Sequence, residues 1–358
     1  MKKTRPGVGL SVPANFDYKF VKEIESISNS LKTSNYIDNI YGSPRNLKLG
    51  QSRASKKIPD LTNNQLKRYI DSIHNIGIKF HLTINSIWSN GFERKEDNKD
   101  IIYKEIKEFI DIGVDSFIIG NLYLAELIKN MFPEINLIAS INLKTDSIYK
   151  LKSLLEDFKF DKIVLERTTN RDVSFLKNIN KKWNNNIILL ANPDCLFDCA
   201  ISNYHMLENG HISMTQDKFL DKNYCINYCK HKFKDVDNIL KTSWIHPADI
   251  DLYEDIGVKY LKIQGRTLSV EKILELTKAY LKRETIKSNL LEIYPNFLGK
   301  DENIKKIDYF FDNSRFDRRG FIESFFEKNI NCKTSCEVTC NKCNIIANML
   351  LKVKGENV

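Results

Sequence analysis

The first 194 residues of this 358-residue chain contain no cysteine; all eight lie beyond them. Disulfide scaffolds are short, secreted and cysteine-dense throughout, so this distribution points to metal ligation in a reducing compartment. No apolar run approaches the ~18 residues of a membrane-spanning helix. The basic opening Met1-Lys2-Lys3-Thr4-Arg5-Pro6-Gly7 leads into Val8-Gly9-Leu10-Ser11-Val12-Pro13, too short and broken for a signal-peptide core. The expectation is a cytoplasmic protein with no membrane partner. No Gly-x-Gly-x-x-Gly follows a candidate strand, which removes support for a dinucleotide-binding sheet, and neither His-Glu-x-x-His nor Gly-x-Ser-x-Gly occurs.

What is present begins with charge. Fifty-five Lys and Arg against 46 Asp and Glu give a net +9, which invites a nucleic-acid reading. The basic residues, however, are spread through helices that also hold acids, as in Glu105-Ile106-Lys107-Glu108. Eight thiolate ligands would offset much of the surplus, so net charge is a poor guide to partners. With 42% hydrophobic residues, the chain can bury a large core, and a barrel commonly takes ~250 residues as one unit.

Three segments repeat one local pattern, an amphipathic helix ending at Gly with a β-branched or aromatic run directly after it. They surround Gly77, Gly113 and Gly257. Gly accepts the left-handed backbone that ends a helix, and the apolar run suits a buried parallel strand. Eight strand candidates follow, at 8–12, 37–41, 78–84, 114–119, 136–141, 162–166, 187–191 and 258–263, with helical periodicity over 64–76, 101–112, 122–131, 147–158, 173–183 and 269–282. The fold class expected is α/β, a (β/α)8 TIM-like barrel. Its domains would be the barrel over 1–283, with a long insertion over 192–247, and a helical, cysteine-rich extension over 284–358.

Active sites of such barrels gather at the C-terminal strand ends. Standing there are Asn15, Ser43, Arg45, Asn85, Asn121, Asn142, Glu166, Arg167, Asn192, Gln264 and Arg266. Each alone fits an ordinary loop start; the ring as a whole suggests a site. Arg53, Arg167 and Arg266 can grip an anionic group bidentately, while Glu166 and His205 suit proton transfer.

The insertion carries Cys195-x3-Cys199 and Cys225-x3-Cys229. Two such pairs can close a four-thiolate cage, and this spacing, wider than the tight knuckles of structural zinc, favours iron–sulfur. His205, His211 and His231 share the insertion and can ligate or face substrate; His246 is a weaker candidate. A second group, Cys332-x3-Cys336-x3-Cys340-x2-Cys343, lies past the last strand. Its last three cysteines match the radical-SAM spacing, but that motif normally follows the first strand, and a fourth ligand here closes the site. A structural zinc or an auxiliary or electron-relay cluster is the better reading. With both groups engaged, no cysteine is spared to act as a nucleophile.

The chain resembles peptidase family U32, the collagenase-like family. The resemblance rests on Gly42-Ser43-Pro44-Arg45 with Gly50-Gln51-Ser52-Arg53-Ala54-Ser55, on Gly77-Ile78-Lys79-Phe80-His81-Leu82-Thr83-Ile84-Asn85, on the cysteine pair after the seventh strand, and on Trp244-Ile245-His246-Pro247-Ala248-Asp249-Ile250 leading to Tyr260-Leu261-Lys262-Ile263-Gln264-Gly265-Arg266. It implies a barrel whose Cys195, Cys199, Cys225 and Cys229 hold a 4Fe-4S cluster. It also implies a likeness to oxygen-independent hydroxylases of ubiquinone precursors, transfer RNA or ribosomal RNA. Two departures stand out: Asn192-Pro193-Asp194 replaces the His-Gly that precedes the first cysteine in the better-known pattern, and the Cys332–Cys343 group is an addition.

The function expected is therefore an iron–sulfur redox enzyme modifying a substrate at the barrel mouth, by hydroxylation without molecular oxygen. The substrate would be a small aromatic, a peptide or an RNA, with a partner subunit or electron donor. Its rivals are a metal-dependent peptidase and a non-catalytic peptide- or RNA-binding maturation protein with structural metals.

Overall fold

Gly77, Gly113 and Gly257 all take the left-handed backbone expected of them, at φ of 73°, 100° and 93°, a conformation that costs other L-residues strain. Each donates its N–H back into the turn before it, to His74, Ile110 and Glu254. The computed structural model describes residues 7–31, 33–53, 58–215, 224–233, 235, 237–284, 309–311, 318–328 and 330–353.

Eight strands close a barrel in sequential order. They are β1 Gly9–Pro13, β2 Tyr36–Gly42, β3 Lys79–Ile84, β4 Ser116–Ile119, β5 Asn136–Ala139, β6 Lys162–Val164, β7 Ile187–Leu190 and β8 Tyr260–Lys262, and each neighbouring pair, β8 with β1 included, is parallel. The barrel fold expected from the sequence is the fold observed. Several strands are shorter than their apolar runs. β5 stops before Ser140, whose hydroxyl accepts from Asn142 N–H and starts a short turn at Ile141–Leu143. β6 stops at Val164, and Glu166 leads into a second turn, Arg167–Arg171.

Helices α1 Tyr18–Ser30, α2 Asn63–His74, α3 Lys99–Asp111, α4 Leu122–Met131, α5 Ile148–Glu156 and α6 Val173–Trp183 follow the first six strands. Their starts are set by side-chain caps: Thr62 and Gln65 form a reciprocal box, and Asn121, Ser147 and Asp172 accept from the first-turn N–H groups of α4, α5 and α6. After β7 the insertion supplies α7 Ser202–Thr215, α8 Tyr224–Lys232 and α9 Asp237–Lys241 before α10 Ile250–Asp255 returns to β8. His246 caps the turn before α10, its Nδ1 accepting from Ala248 N–H at 3.1 Å, so this histidine has a structural task. α11 Val270–Lys282 closes the ring, capped by Ser269 as expected.

Strand alternation sorts side chains into two layers. Leu10, Ile40, Phe80, Leu82, Phe117, Ile119, Ile163 and Leu261 join the large core between strands and helices. Tyr41, Ile118, Ile138, Val164 and Ile188 form a separate cluster, the alternate positions that face the barrel axis. Beyond the barrel, helix Arg318–Lys328 packs Phe321, Ile322 and Phe325 together with Leu252, and Arg319 forms a two-pronged ion pair with Asp251. Helix Lys342–Leu350 lies against α9 and contributes Ala347 to a cluster with Leu196, Phe233, Ile239 and Leu240. No helix of the described residues is long and apolar enough to cross a membrane.

Candidate functional site

The C-terminal strand ends gather most of the polar residues picked from sequence. The insertion leaves β7 through Asn192, whose side-chain amide bonds both backbone groups of Gln264 after β8, at 2.6 and 3.0 Å. Gln264 in turn donates to Asp194, and Cys195 lies directly beyond. Asn192-Pro193-Asp194 thus latches the insertion to the last strand.

Helix α7 is laid across this mouth. A Cβ on Gly210 would sit 2.3 Å from Ser86 Oγ, so α7 approaches the loop after β3 closely, and a larger residue there would displace the Ser86 hydroxyl from its bond to Trp88 O. One turn on, Ser213 accepts from Gln51 N–H at 3.0 Å. Gln51 belongs to the loop after β2 and accepts from Ser43 and from Arg266 Nη1 at 2.6 and 3.0 Å. Arg266 also donates to Ser43 at 3.0 Å and borders a cleft of about 320 Å³ with Asn15, Ile58 and Ser269.

Glu166 and Arg167 are both buried and paired, Nε to Oε1 at 2.9 Å. The second oxygen of Glu166 is buried with no partner. Burial opposes the charge of Arg167, but Cys195, Glu166 and Asp194 outweigh it and hold the guanidinium firmly protonated. Arg53 and Arg167 both act on Cys195 and on His205. Hence Arg53, Glu166, Arg167, His205 and Arg266 share one neighbourhood with the first cysteine. Burial lowers the His205 pKa, so its ring stays neutral at neutral pH.

The sequence did not single out one buried cation here. Lys262, the last residue of β8, is buried and stacks over the Tyr41 ring at 3.7 Å. Burial first, and Arg266 next, depress its amine to about 7, and burial with Arg53 depresses Arg266 to about 10. None of Arg53, Arg266 or Lys262 has a carboxylate partner among the described residues, and Arg53 Nε is buried without any acceptor. Below them His81 is pushed to about 3, chiefly by burial and then by Lys262, Lys162 and Lys79. A lysine inside an otherwise apolar final strand was the signal available, masked by the lysine richness of the whole chain. Arg45 is a correction: it turns outward to pair with Asp60. Asn121 likewise serves structure, capping α4 and donating to Glu93.

All eight cysteines are free thiols. Cys199 and Cys229 share a hydrogen bond that holds Cys199 at about 6 and Cys229 well up. Cys229 also feels Cys195 and Cys225, and burial pushes Cys195 to about 11 against the pull of Arg167. In the second group Cys332, Cys336, Cys340 and Cys343 line one small cavity of about 20 Å³. Cys199 and Cys229 of the first group and Cys343 of the second border one shared apolar cluster. Among the described residues no three His, Cys, Asp or Glu side chains are yet spaced to grip a metal ion; the thiols converge without closing a cage. Of the other histidines, His211 is half-buried on α7 and His231 is exposed on α8.

The family model of Peptidase family U32 matches residues 28–328. The chain is 28% identical over 313 residues to "Uncharacterized protease MJ1657" of Methanocaldococcus jannaschii, covering 86% of each. The solved structure of the U32 peptidase Mk0906 superposes with a TM-score of 0.54 at 10% identity, covering 74% of this chain and 95% of that one, a likeness of fold.

Proposed function

The chain belongs to peptidase family U32, and on that footing we propose that it is an iron–sulfur redox enzyme that modifies an anionic substrate in the barrel mouth, by hydroxylation without molecular oxygen. The observation that carries the reading is a group of cations with no paired carboxylate among the described residues, the half-buried Arg53 and Arg266 and the buried Lys262, of which Arg53 acts on the thiol of Cys195. Buried like charges without counter-ions are costly, and an incoming carboxylate or phosphate removes that cost. The donor set fits the cluster: four unbridged thiols, two of them fully buried, in surroundings that hold a positively charged Arg167 against Cys195.

A 4Fe-4S cluster bound by Cys195, Cys199, Cys225 and Cys229 supplies one-electron chemistry beside the substrate. The chain's own residues do the rest. Arg53 and Arg266 orient the anionic group through forked hydrogen bonds. Glu166 Oε2, free of any partner, takes a proton from the substrate while Arg167 fixes the carboxylate through the other oxygen. Neutral His205 is the alternative acceptor, and α7 excludes water from the mouth. With a bound water as the source of the oxygen atom, each hydroxylation releases two protons and two electrons, and an external electron acceptor or partner subunit takes the electrons.

The test is anaerobic purification followed by Cys195→Ser and Cys225→Ser. The expected wild-type protein is brown, with iron and sulfide; each variant loses that absorption and all turnover. Turnover in a bleached variant, or peptide hydrolysis by metal-free protein as the relative's name suggests, would replace this reading.

A further inference from the structure

The cavity formed by the last four cysteines has a wall that the barrel itself provides. Arg171 ends the turn Arg167–Arg171 that begins at the mouth; it is only 5% exposed. Its Nη2 donates to Leu240 O at 2.5 Å, its Nη1 reaches Cys343 Sγ at 3.8 Å, and its Nε has no partner. No carboxylate pairs with it among the described residues. Lys241, the other cation on the cavity, is already neutralised by Asp237 and Glu337. A buried guanidinium, stacked on the rings of Phe321 and Phe325, thus borders the same cavity as the four thiols, with no paired carboxylate among the described residues.

The local backbone is shaped to bring those thiols together. Cys332–Ser335 is one helical turn capped by Asn331. Glu337 takes a left-handed φ of 61°, its N–H bonding Cys340 O at 2.9 Å, while Cys340 N–H bonds Ser335 O at 2.8 Å. Cys336 and Cys340 are thereby bridged, and Cys343 enters from the first turn of helix Lys342–Leu350. Phe325 and Phe197, the latter lying between the first two barrel cysteines, complete the apolar lining.

We propose that Cys332, Cys336, Cys340 and Cys343 form a second metal centre, a closed four-thiolate site separate from the barrel set, with Arg171 as its buried counter-cation. Four thiolates around a divalent ion, or around a 4Fe-4S core of charge +2, carry a net charge of −2 in either case. The guanidinium donates charge-assisted hydrogen bonds to that anion. Loading the site releases the thiol protons to solvent as metal binds and fixes the extension to the barrel, where Lys333 to Asp146 and Lys241 to Glu337 already hold its edge. The centre stands or falls independently of the barrel chemistry.

The experiment is metal and sulfide analysis of the full-length wild type beside Cys336→Ser/Cys340→Ser, both purified without oxygen. The double variant is expected to lose one centre, either about one zinc per chain or a matching share of iron and sulfide, while the absorption bleached by Cys195→Ser persists. Zinc loss and iron loss distinguish the two kinds of centre. Unchanged metal content overturns the proposal, as does one substitution that empties both groups. Should the variant fail to fold, iodoacetamide labelling of the native wild type decides: the four half-exposed thiols are expected to resist alkylation until a chelator strips the metal. Alkylation of all four in the native protein contradicts the proposal.

Discussion

The two halves of the barrel lining differ in chemistry, although the strands that build them alternate in the same way. On β4 to β7 the axial positions include Ile118, Ile138, Val164 and Ile188, packed as one cluster with Tyr41 of β2. On β8 and β1 to β3 the corresponding positions hold Lys262, Ser11, Asn39, His81 and Thr83, all buried. Asn39 donates to Ser11 at 2.8 Å, yet its own carbonyl oxygen and the Thr83 hydroxyl are buried without partners. One wall gains stability from burial; the other gives stability up. Unsatisfied polar groups and an unpaired amine persist in a core where a ligand makes use of them.

The contrast is broken most forcefully on its apolar side. Ile118→Ala should cost about 2–5 kcal/mol of unfolding free energy, through lost transfer energy and a cavity. Affinity for an anionic ligand should be unchanged; denaturant unfolding and ligand titration check the two halves of that statement. Loss of ligand affinity in a folded Ile118→Ala protein would erase the distinction between the walls.

Arg266→Gln should do the reverse. Removing one charge-assisted donor from the mouth is expected to weaken binding of inorganic phosphate or a dicarboxylate by about 1.5–3 kcal/mol, roughly tenfold to a hundredfold, with little change in stability. Calorimetric titration reads the effect directly.

Lys262→Met is the subtlest and the sharpest. An amine at about 7 in the folded chain lies well below the ~10.4 of a free lysine. Between those values the unfolded chain binds the extra proton, so stability rises with pH across that window and the full penalty is present below it. Lys262→Met should remove the slope, raise stability by about 1–3 kcal/mol near neutral pH, and weaken anion binding. Thermal unfolding followed from about pH 6.5 to about pH 9.5 tests the sign. A variant that is less stable than wild type at neutral pH contradicts the account of this wall.

Much of this architecture was legible beforehand because local rules and the global fold agree. Gly77, Gly113 and Gly257 marked helix ends, and apolar runs marked buried strands whose partners a barrel fixes in order. The spacing marked two candidate thiol groups, and the members of the second line one small cavity. What escaped the sequence depends on long-range placement. Arg171 and Cys343 meet across 172 residues, and nothing local distinguishes that arginine from its neighbours. Lys262 occupies a strand position whose direction emerges once the register of β8 against β1 is fixed. Arg45 stood at a strand end like Arg266 yet turns outward, because Asp60 lies within reach of it.

The central claim joins an anion site to a thiol-held redox centre, and one titration examines both at once. Inorganic phosphate, then a dicarboxylate, is added to anaerobically purified protein while its visible absorption is recorded. The account predicts a saturable spectral change in the wild type that Arg53→Gln/Arg266→Gln abolishes, because the ligand settles beside Cys195. A spectrum indifferent to saturating anion, or an iron-free and colourless protein, contradicts it.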